Sequence, residues 1–310
     1  MIINTGSRTD IPAYFSSWFY RRIKEGYVMV RNPYYPEQVM HYELNPDVVD
    51  ALIFCTKNPA PMLDGLSQLK NYGQLWYVTI TPYGKEIEPG VPDKNEVMES
   101  FCRLSQMVGA DSVIWRYDPV FITEKYTLDF HRRAFEQMAR RLAGCTHRCV
   151  ISFIDLYEKT RRNFPGVCSV TEEERHAIGR AFAAVGREYG IRIHTCCEGT
   201  ELGAYGIDTS GCMTKAVVEE AIGRKLVVPK AKKPAREGCS CLLGNDIGVY
   251  NTCPHGCLYC YANYDRKTVE ANLRLHDPAS PFLIGWEREG DRVAKARQFS
   301  YADDQLSLFD

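Results

Sequence analysis

Short β-branched or aromatic runs alternate with longer helical stretches along nearly the whole chain, and this alternation restricts the fold more than any other feature. A strand, a helix and a second strand make the unit of a parallel sheet, because the helix carries the chain back to where the first strand began. Strands are expected at 2–3, 52–54, 75–80, 112–115, 150–153, 191–193 and 247–250. Helices are expected at 13–25, 61–69, 95–108, 128–142 and 172–189. The last opens on Thr171 and Glu174, a capping box, and stops at Gly190, where a left-handed residue can close it. Residues 28–30 and 39–42 read as an inserted hairpin around Asn32-Pro33. The expected fold class is α/β: a complete or partial (β/α) barrel, with a doubly wound sheet as the main alternative.

Either sheet places chemistry in the loops that follow strand ends, and those loops are polar here. Arg8, Asp10, Lys57, Arg116, Asp118 and Asp155 are the expected rim set, with arginine able to clasp a carboxylate or phosphate through two parallel bonds. Any one of them alone would be an ordinary polar residue at a strand end; the pattern lies in six polar loops, at 7–10, 56–58, 79–81, 116–118, 155 and 194–198, sharing one rim.

The chain holds 13 cysteines among 310 residues. Their odd number and clustered spacing suit metal ligation better than a disulfide framework, because no residues resemble a signal peptide and no run of eighteen apolar residues occurs. A cytoplasmic protein without membrane contact is expected. With 45% hydrophobic residues a full core can form, and a net charge of −1 provides no overall field to draw nucleic acid.

The run Cys253-Pro254-His255-Gly256-Cys257-Leu258-Tyr259-Cys260 offers three thiolates on one tight loop, turned by Pro254 and Gly256. Three thiolates can hold three irons of a [4Fe–4S] cube and leave the fourth open. A zinc knuckle or a plain electron-transfer cluster are the alternatives. Four further cysteines, Cys196, Cys212, Cys239 and Cys241, complete a possible four-thiolate set for a second cluster or for zinc, with Cys197 able to replace Cys196. Cys55, Cys102, Cys145, Cys149 and Cys168 show no grouping and read as small buried hydrophobes.

The cysteine run resembles the CxxxCx-aromatic-C signature of the radical S-adenosylmethionine superfamily. That resemblance implies a cofactor, S-adenosylmethionine, chelated at the open iron, and a reductant such as ferredoxin or flavodoxin. It also implies that Tyr259 packs on the adenine. In most of that superfamily the motif follows the first barrel strand, whereas fifty residues follow Cys260 here, too few for a barrel. Either the loop belongs to an appended domain, or the barrel is circularly permuted so that 247–250 carries the motif beside 2–3. Permutation is the preferred expectation, and it would put Arg8 and Asp10 beside the cofactor. The segments 7–13, 54–61, 114–119 and 246–253 together resemble a family called domain of unknown function 1848, described as iron–sulfur binding and without a named substrate.

The expected organisation is a barrel over 1–262 with the cluster strand and loop at 239–262, a helix and extension at 263–300, and a flexible tail at 301–310. That tail, with Gln305, Leu306, Leu308 and Phe309, resembles the peptide by which bacterial repair proteins dock on the DNA sliding clamp. Basic pairs at Arg21-Arg22, Arg132-Arg133, Arg140-Arg141 and Arg161-Arg162, and the run 230–236, could follow phosphates. Together these favour a nucleic-acid substrate, with a small molecule or peptide, or a non-catalytic iron–sulfur or zinc protein, as the alternatives.

Overall fold

The computed structural model describes residues 1–229, 238–242 and 244–303. In chain order its elements begin with β1 (Ile2–Asn4), α1 (Ile11–Tyr14), α2 (Ser16–Glu25), β2 (Tyr27–Arg31), β3 (Gln38–Glu43), β4 (Ala51–Thr56), β5 (Gly73–Thr79) and α3 (Lys94–Val108). They continue with β6 (Val113–Val120), α4 (Leu128–Leu142), β7 (Arg148–Phe153), α5 (Glu158–Asn163), α6 (Glu172–Tyr189), β8 (Arg192–Thr195) and α7 (Lys215–Ile222), and end with β9 (Asn245–Asp246), α8 (Arg266–Leu273) and β10 (Arg292–Lys295). Seven strands form one parallel sheet ordered β8-β7-β6-β5-β4-β1-β9. β1 and β4 to β8 are therefore laid down side by side in chain order, and the last strand of the sheet returns to pair with the first.

Local chemistry fixes the helices. Thr171 and Glu174 form the expected capping box of α6, which ends at Gly190 in a left-handed conformation (φ 68°). Asp93 and Thr127 cap α3 and α4 by accepting backbone N–H groups. The helix expected over 13–25 is two helices, because the chain turns at Phe15. The segment Ala60–Leu69 is a 3-10 helix, entered through Pro59 and Pro61. The 247–250 strand is also corrected. Pairing runs Ile3 to Asn245 and Asn4 to Asp246 and then stops, because the Asp246 carboxylate accepts the N–H groups of Ser7 and Gly248 and turns the chain out of the sheet. The hairpin forms as expected, and β10 adds to it as a third strand.

Register decides which residues share a face, because partners in a parallel pair point the same way. Asn4, Ile53 and Leu75 share one face, as do Cys55, Tyr77 and Ile114, and Thr79, Arg116, Val150 and His194. This face is covered by residues of the 212–228 segment, with Cys212, Met213, Val217, Val218 and Leu226 packed on Ile53, Leu75 and Tyr77. The other face carries Leu52, Phe54, Trp76 and Trp115 under the helices. There Phe54 stacks on Trp76 at 3.9 Å, and Phe135 on Phe182 at 3.8 Å. Rings buried this way bring dispersion contacts as well as removal from water.

Two cysteine expectations fail. Cys102 and Cys145 are joined in a disulfide between α3 and the turn after α4, instead of packing as separate small hydrophobes. Their pairing needed two helices to be brought side by side, which spacing does not reveal. Cys168 is exposed, in the irregular stretch before α6. Cys149 is buried as expected. Within the segment 301–310, residues 301–303 are held: Tyr301 donates its N–H to Asp50 and accepts from Val227, and Asp303 donates to Lys225. The docking-like peptide at 305–309 and the basic run at 230–236 lie outside the described residues. No helix among those described is long and apolar enough to cross a membrane.

Candidate functional site

Four of the six expected rim residues lie just beyond the C-terminal ends of parallel strands, while Arg116 and Asp118 lie within β6, Arg116 level with the last residue of β5, and the six divide into groups with different partners. Asp10 and Lys57 hold the cysteine loop. The Asp10 carboxylate accepts Ala13 N–H at 3.0 Å to cap α1, Lys57 N–H at 2.8 Å, and contacts His255 Nε2 at 2.9 Å. Lys57 Nζ donates at 2.8 Å to Glu88 and sits 5.4 Å from the Tyr259 ring centre. Arg8 lies beside Asp246 at 3.8 Å and over the ring of Tyr250. Arg116 pairs with Asp118, whose other oxygen accepts from Ser152 at 2.5 Å. Asp155 is the outlier: it is exposed and accepts the Tyr157 hydroxyl at 3.2 Å.

The loop from Cys253 to Cys260 is anchored on every side. Gly256 takes a left-handed conformation (φ 68°), as the turn requires. Gly90 N–H donates to His255 O, and Leu258 N–H to Ile87 O. A Cβ on Gly90 would lie 2.7 Å from Pro254 O and 2.8 Å from His255 Cα, so only glycine lets these two segments touch. Asn263 donates to Cys253 O at 2.7 Å, Lys159 of α5 to Tyr261 O at 3.1 Å, and the Tyr261 hydroxyl to Ser7 O at 2.6 Å. Loops following β1, β4, β5 and β7 thus all grip the segment that follows β9.

Residues that sequence reasoning passed over do much of this. Glu88 is buried and accepts from Lys57, Lys94, Thr81 and the Tyr259 hydroxyl. Burial pushes its carboxyl up, but the two lysines override that and leave it at about 2. Burial in turn lowers Lys94, whereas at Lys57 burial is outweighed by Glu88 together with Cys257 and Asp118, which raise it. His255 stands between Asp10 and the Tyr14 hydroxyl. Glu198, just past β8, accepts Phe153 N–H at 2.9 Å and Arg175 at 3.1 Å, and burial pushes it up to about 7. A buried glutamate between two lysines has no signature in sequence, because its partners come from three loops.

Of the loop cysteines Cys257 is buried and Cys253 and Cys260 are half-buried. Desolvation, with Asp10 and the neighbouring thiols, holds Cys253 well above the usual range, and desolvation holds Cys257 at about 12 although Lys57 pulls it down. Of the second expected set, Cys212 lies 3.3 Å from Cys196 and 3.4 Å from Cys241, sulfur to sulfur. Cys239 is outside this contact and does not pack on the apolar cluster that includes the other three. Cys197 adopts a left-handed backbone (φ 59°), turning the chain after Cys196. Arg116 reaches Cys212 Sγ at 3.8 Å. Among the described residues no group of three His, Cys, Asp or Glu side chains is spaced to receive a metal ion as it stands.

The basic pairs on helices are largely engaged with neighbours on the same face: Arg132 and Arg133 with Asp129, Arg140 with Glu136, and Arg21 and Arg22 with Glu25. Such pairs at helical spacing are solvated faces. No curated protein and no solved structure matches the chain. A family model does match, over residues 2–262 and so from β1 to just past Cys260, and the chain belongs to the family it describes, Domain of unknown function (DUF1848).

Proposed function

We propose that the chain is a radical S-adenosylmethionine enzyme on a circularly permuted partial (β/α) barrel, with a [4Fe–4S] cluster on Cys253, Cys257 and Cys260. The observation that carries this reading is the seat of the cysteine loop. It leaves a strand paired to β1 and is tied to the loops after β1, β4, β5 and β7 at the edge where α/β enzymes keep their substrates. A cluster that only passed electrons would need no such seat among polar strand ends.

The donor set fits the group. Burial raises the thiols of Cys253 and Cys257, and Lys57 and Lys94 stand near Cys257, so an occupant that takes thiolates and carries net negative charge would relieve that cost and meet those cations. When bound, the cluster would chelate the methionine part of S-adenosylmethionine at its open iron and supply the electron that cleaves it to a 5′-deoxyadenosyl radical. The chain's own part is orientation. Glu88 fixes Tyr259 and Lys57 beside the loop, and Asp10 fixes His255. Thr9 Oγ1, Asn4 Oδ1 and Thr195 Oγ1, at or beyond the ends of β1 and β8, are buried without hydrogen-bond partners among the described residues and are available to a polar ligand.

Contact between the sheet's two edges supports the barrel part. A flat sheet of seven strands would hold its edges roughly 29 Å apart, at about 4.8 Å per strand. Yet Cys196 directly follows β8 and Cys241 shortly precedes β9, and both touch Cys212. This closeness of segments from both edges supports a curled sheet.

Anaerobic reconstitution tests the reading. Iron and sulfide should be incorporated, and dithionite with S-adenosylmethionine should yield 5′-deoxyadenosine well above a Cys257→Ala control; equal yields would sink the proposal. A ferredoxin- or flavodoxin-type donor should replace dithionite. The nucleic-acid substrate rests on segments outside the described residues, 230–236 and 305–309. It fails if a sliding-clamp pull-down is unchanged by removing 305–309 and if no oligonucleotide is consumed.

A further inference from the structure

The geometry points to a second metal centre, independent of the cluster reading: a single zinc-class ion held by the thiolates of Cys196, Cys212 and Cys241, with Cys55 as the fourth sulfur. The spacing of the sulfurs is the first argument. They stand 3.3 and 3.4 Å apart around Cys212. One ion with bonds of about 2.3 Å holds tetrahedral sulfurs about 3.8 Å apart, so an opening of roughly 0.4 Å admits it. A four-iron cluster bonds each thiolate to a different iron, which forces the sulfurs far beyond contact. Sulfurs already touching leave no room for an ion until they open, and no ready-made group of metal donors stands among the described residues.

The support around the sulfurs is the second argument. Tyr77 donates its hydroxyl to Cys212 O at 2.6 Å, Cys196 N–H donates to Ile151 O at 3.2 Å, and Leu242 N–H to Met213 O at 2.7 Å. Ser240 donates to Ser210 O. Each of the three segments is thus pinned beside its cysteine by bonds that do not involve sulfur, as outer contacts orient ligands in metal sites. Arg116, 3.8 Å from Cys212 Sγ, supplies positive charge to a site that would otherwise carry four negative sulfurs on a dication.

Cys55 is chosen over Cys239 by its position. It points to the same sheet face as Tyr77 and packs in the apolar cluster that also holds Cys196, Cys212 and Cys241, from which Cys239 is absent. These ligands come from the end of β4, the end of β8, the loop before α7 and the segment before β9. An ion there would clasp the two edges of the sheet, β8 and β9, to its middle. It is a structural role, because four protein sulfurs leave no open position.

The test uses the full chain carrying Cys253→Ala, Cys257→Ala and Cys260→Ala, so that the loop cannot hold iron and failure here is separate from failure of the radical reading. Elemental analysis should give one zinc per chain and no acid-labile sulfide. Replacement by cobalt(II) should produce the intense sulfur-to-metal charge-transfer band of a tetrahedral thiolate site. In this background Cys212→Ser and Cys241→Ser should abolish the band, Cys55→Ser should weaken and shift it, and Cys239→Ser should leave it unchanged. Should the serine variants fail to fold, titrating the parent with a mercurial must release the zinc as four thiols are consumed. Iron with sulfide, the absence of stoichiometric metal, or titratable thiols that instead form a disulfide would overturn the proposal. A band lost in Cys239→Ser and kept in Cys55→Ser would overturn the choice of Cys55.

Discussion

The two cysteine groups of this protein are built in opposite ways. Cys253, Cys257 and Cys260 sit on one short loop, which the surrounding strand ends grip through backbone and side chains that are not sulfur. Cys196, Cys212 and Cys241 come from three separate segments and meet through their sulfurs. The first group needs the fold only as a seat, since spacing alone keeps its thiols together. The second exists only because the fold brings distant segments into contact, and whatever binds there also binds the fold. Losing the first should therefore cost chemistry, and losing the second should cost stability.

The largest expected effect follows from that contrast. Binding of a structural zinc is worth on the order of 10 kcal/mol, so Cys212→Ser should lower unfolding stability by several kcal/mol, whereas Cys257→Ala should change it little. Denaturant melts of the two variants check this. Equal losses would break the comparison.

Glu88 comes next, because it links the loop to the fold. Its carboxyl lies at about 2 rather than the ordinary 4.5, since Lys57 and Lys94 outweigh burial. A lowered carboxyl stabilises the folded chain fully above the ordinary value, and the stabilisation fades as pH falls from 4.5 toward 2. Glu88→Gln should thus cost up to about 3 kcal/mol at neutral pH and progressively less toward pH 2. Urea melts at pH 7 and pH 3 measure the difference; a loss that does not shrink with acid would rule out the ion-pair origin.

A smaller effect isolates the seat. Gly90→Ala would drive a methyl into Pro254 O and His255 Cα and should cost about 1–3 kcal/mol. Iron retention by the loop should fall while zinc content stays. Smallest of all, Cys239→Ser should stay within about 0.5 kcal/mol of the parent in stability, as for a surface substitution, and keep both metals. A marked loss would return Cys239 to the second site.

Much of the scaffold is legible in the sequence. The strand and helix alternation, the cap of α6 at Thr171 and Glu174, and its stop at Gly190 depend on neighbours within a few residues, so the sequence carries them directly. The cysteine loop was legible for the same reason, as were the strand ends that bear Arg8, Asp10, Lys57, Arg116 and Asp118. Reading failed where partners are far apart in the chain. The Cys102–Cys145 bond, the hold of Glu88 on Tyr259 and the contact of His255 with Asp10 all join separate loops.

By itself, then, the sequence determined that strands and helices alternate, that three cysteines share one loop, and which polar residues cap the strands. Only the tertiary structure decided where the strand beside β1 ends, which face each thiol points to, and which charges neutralise one another. Local pattern is set by backbone geometry and side-chain periodicity over a few residues, whereas pairing between distant segments is set by packing the whole chain around one sheet.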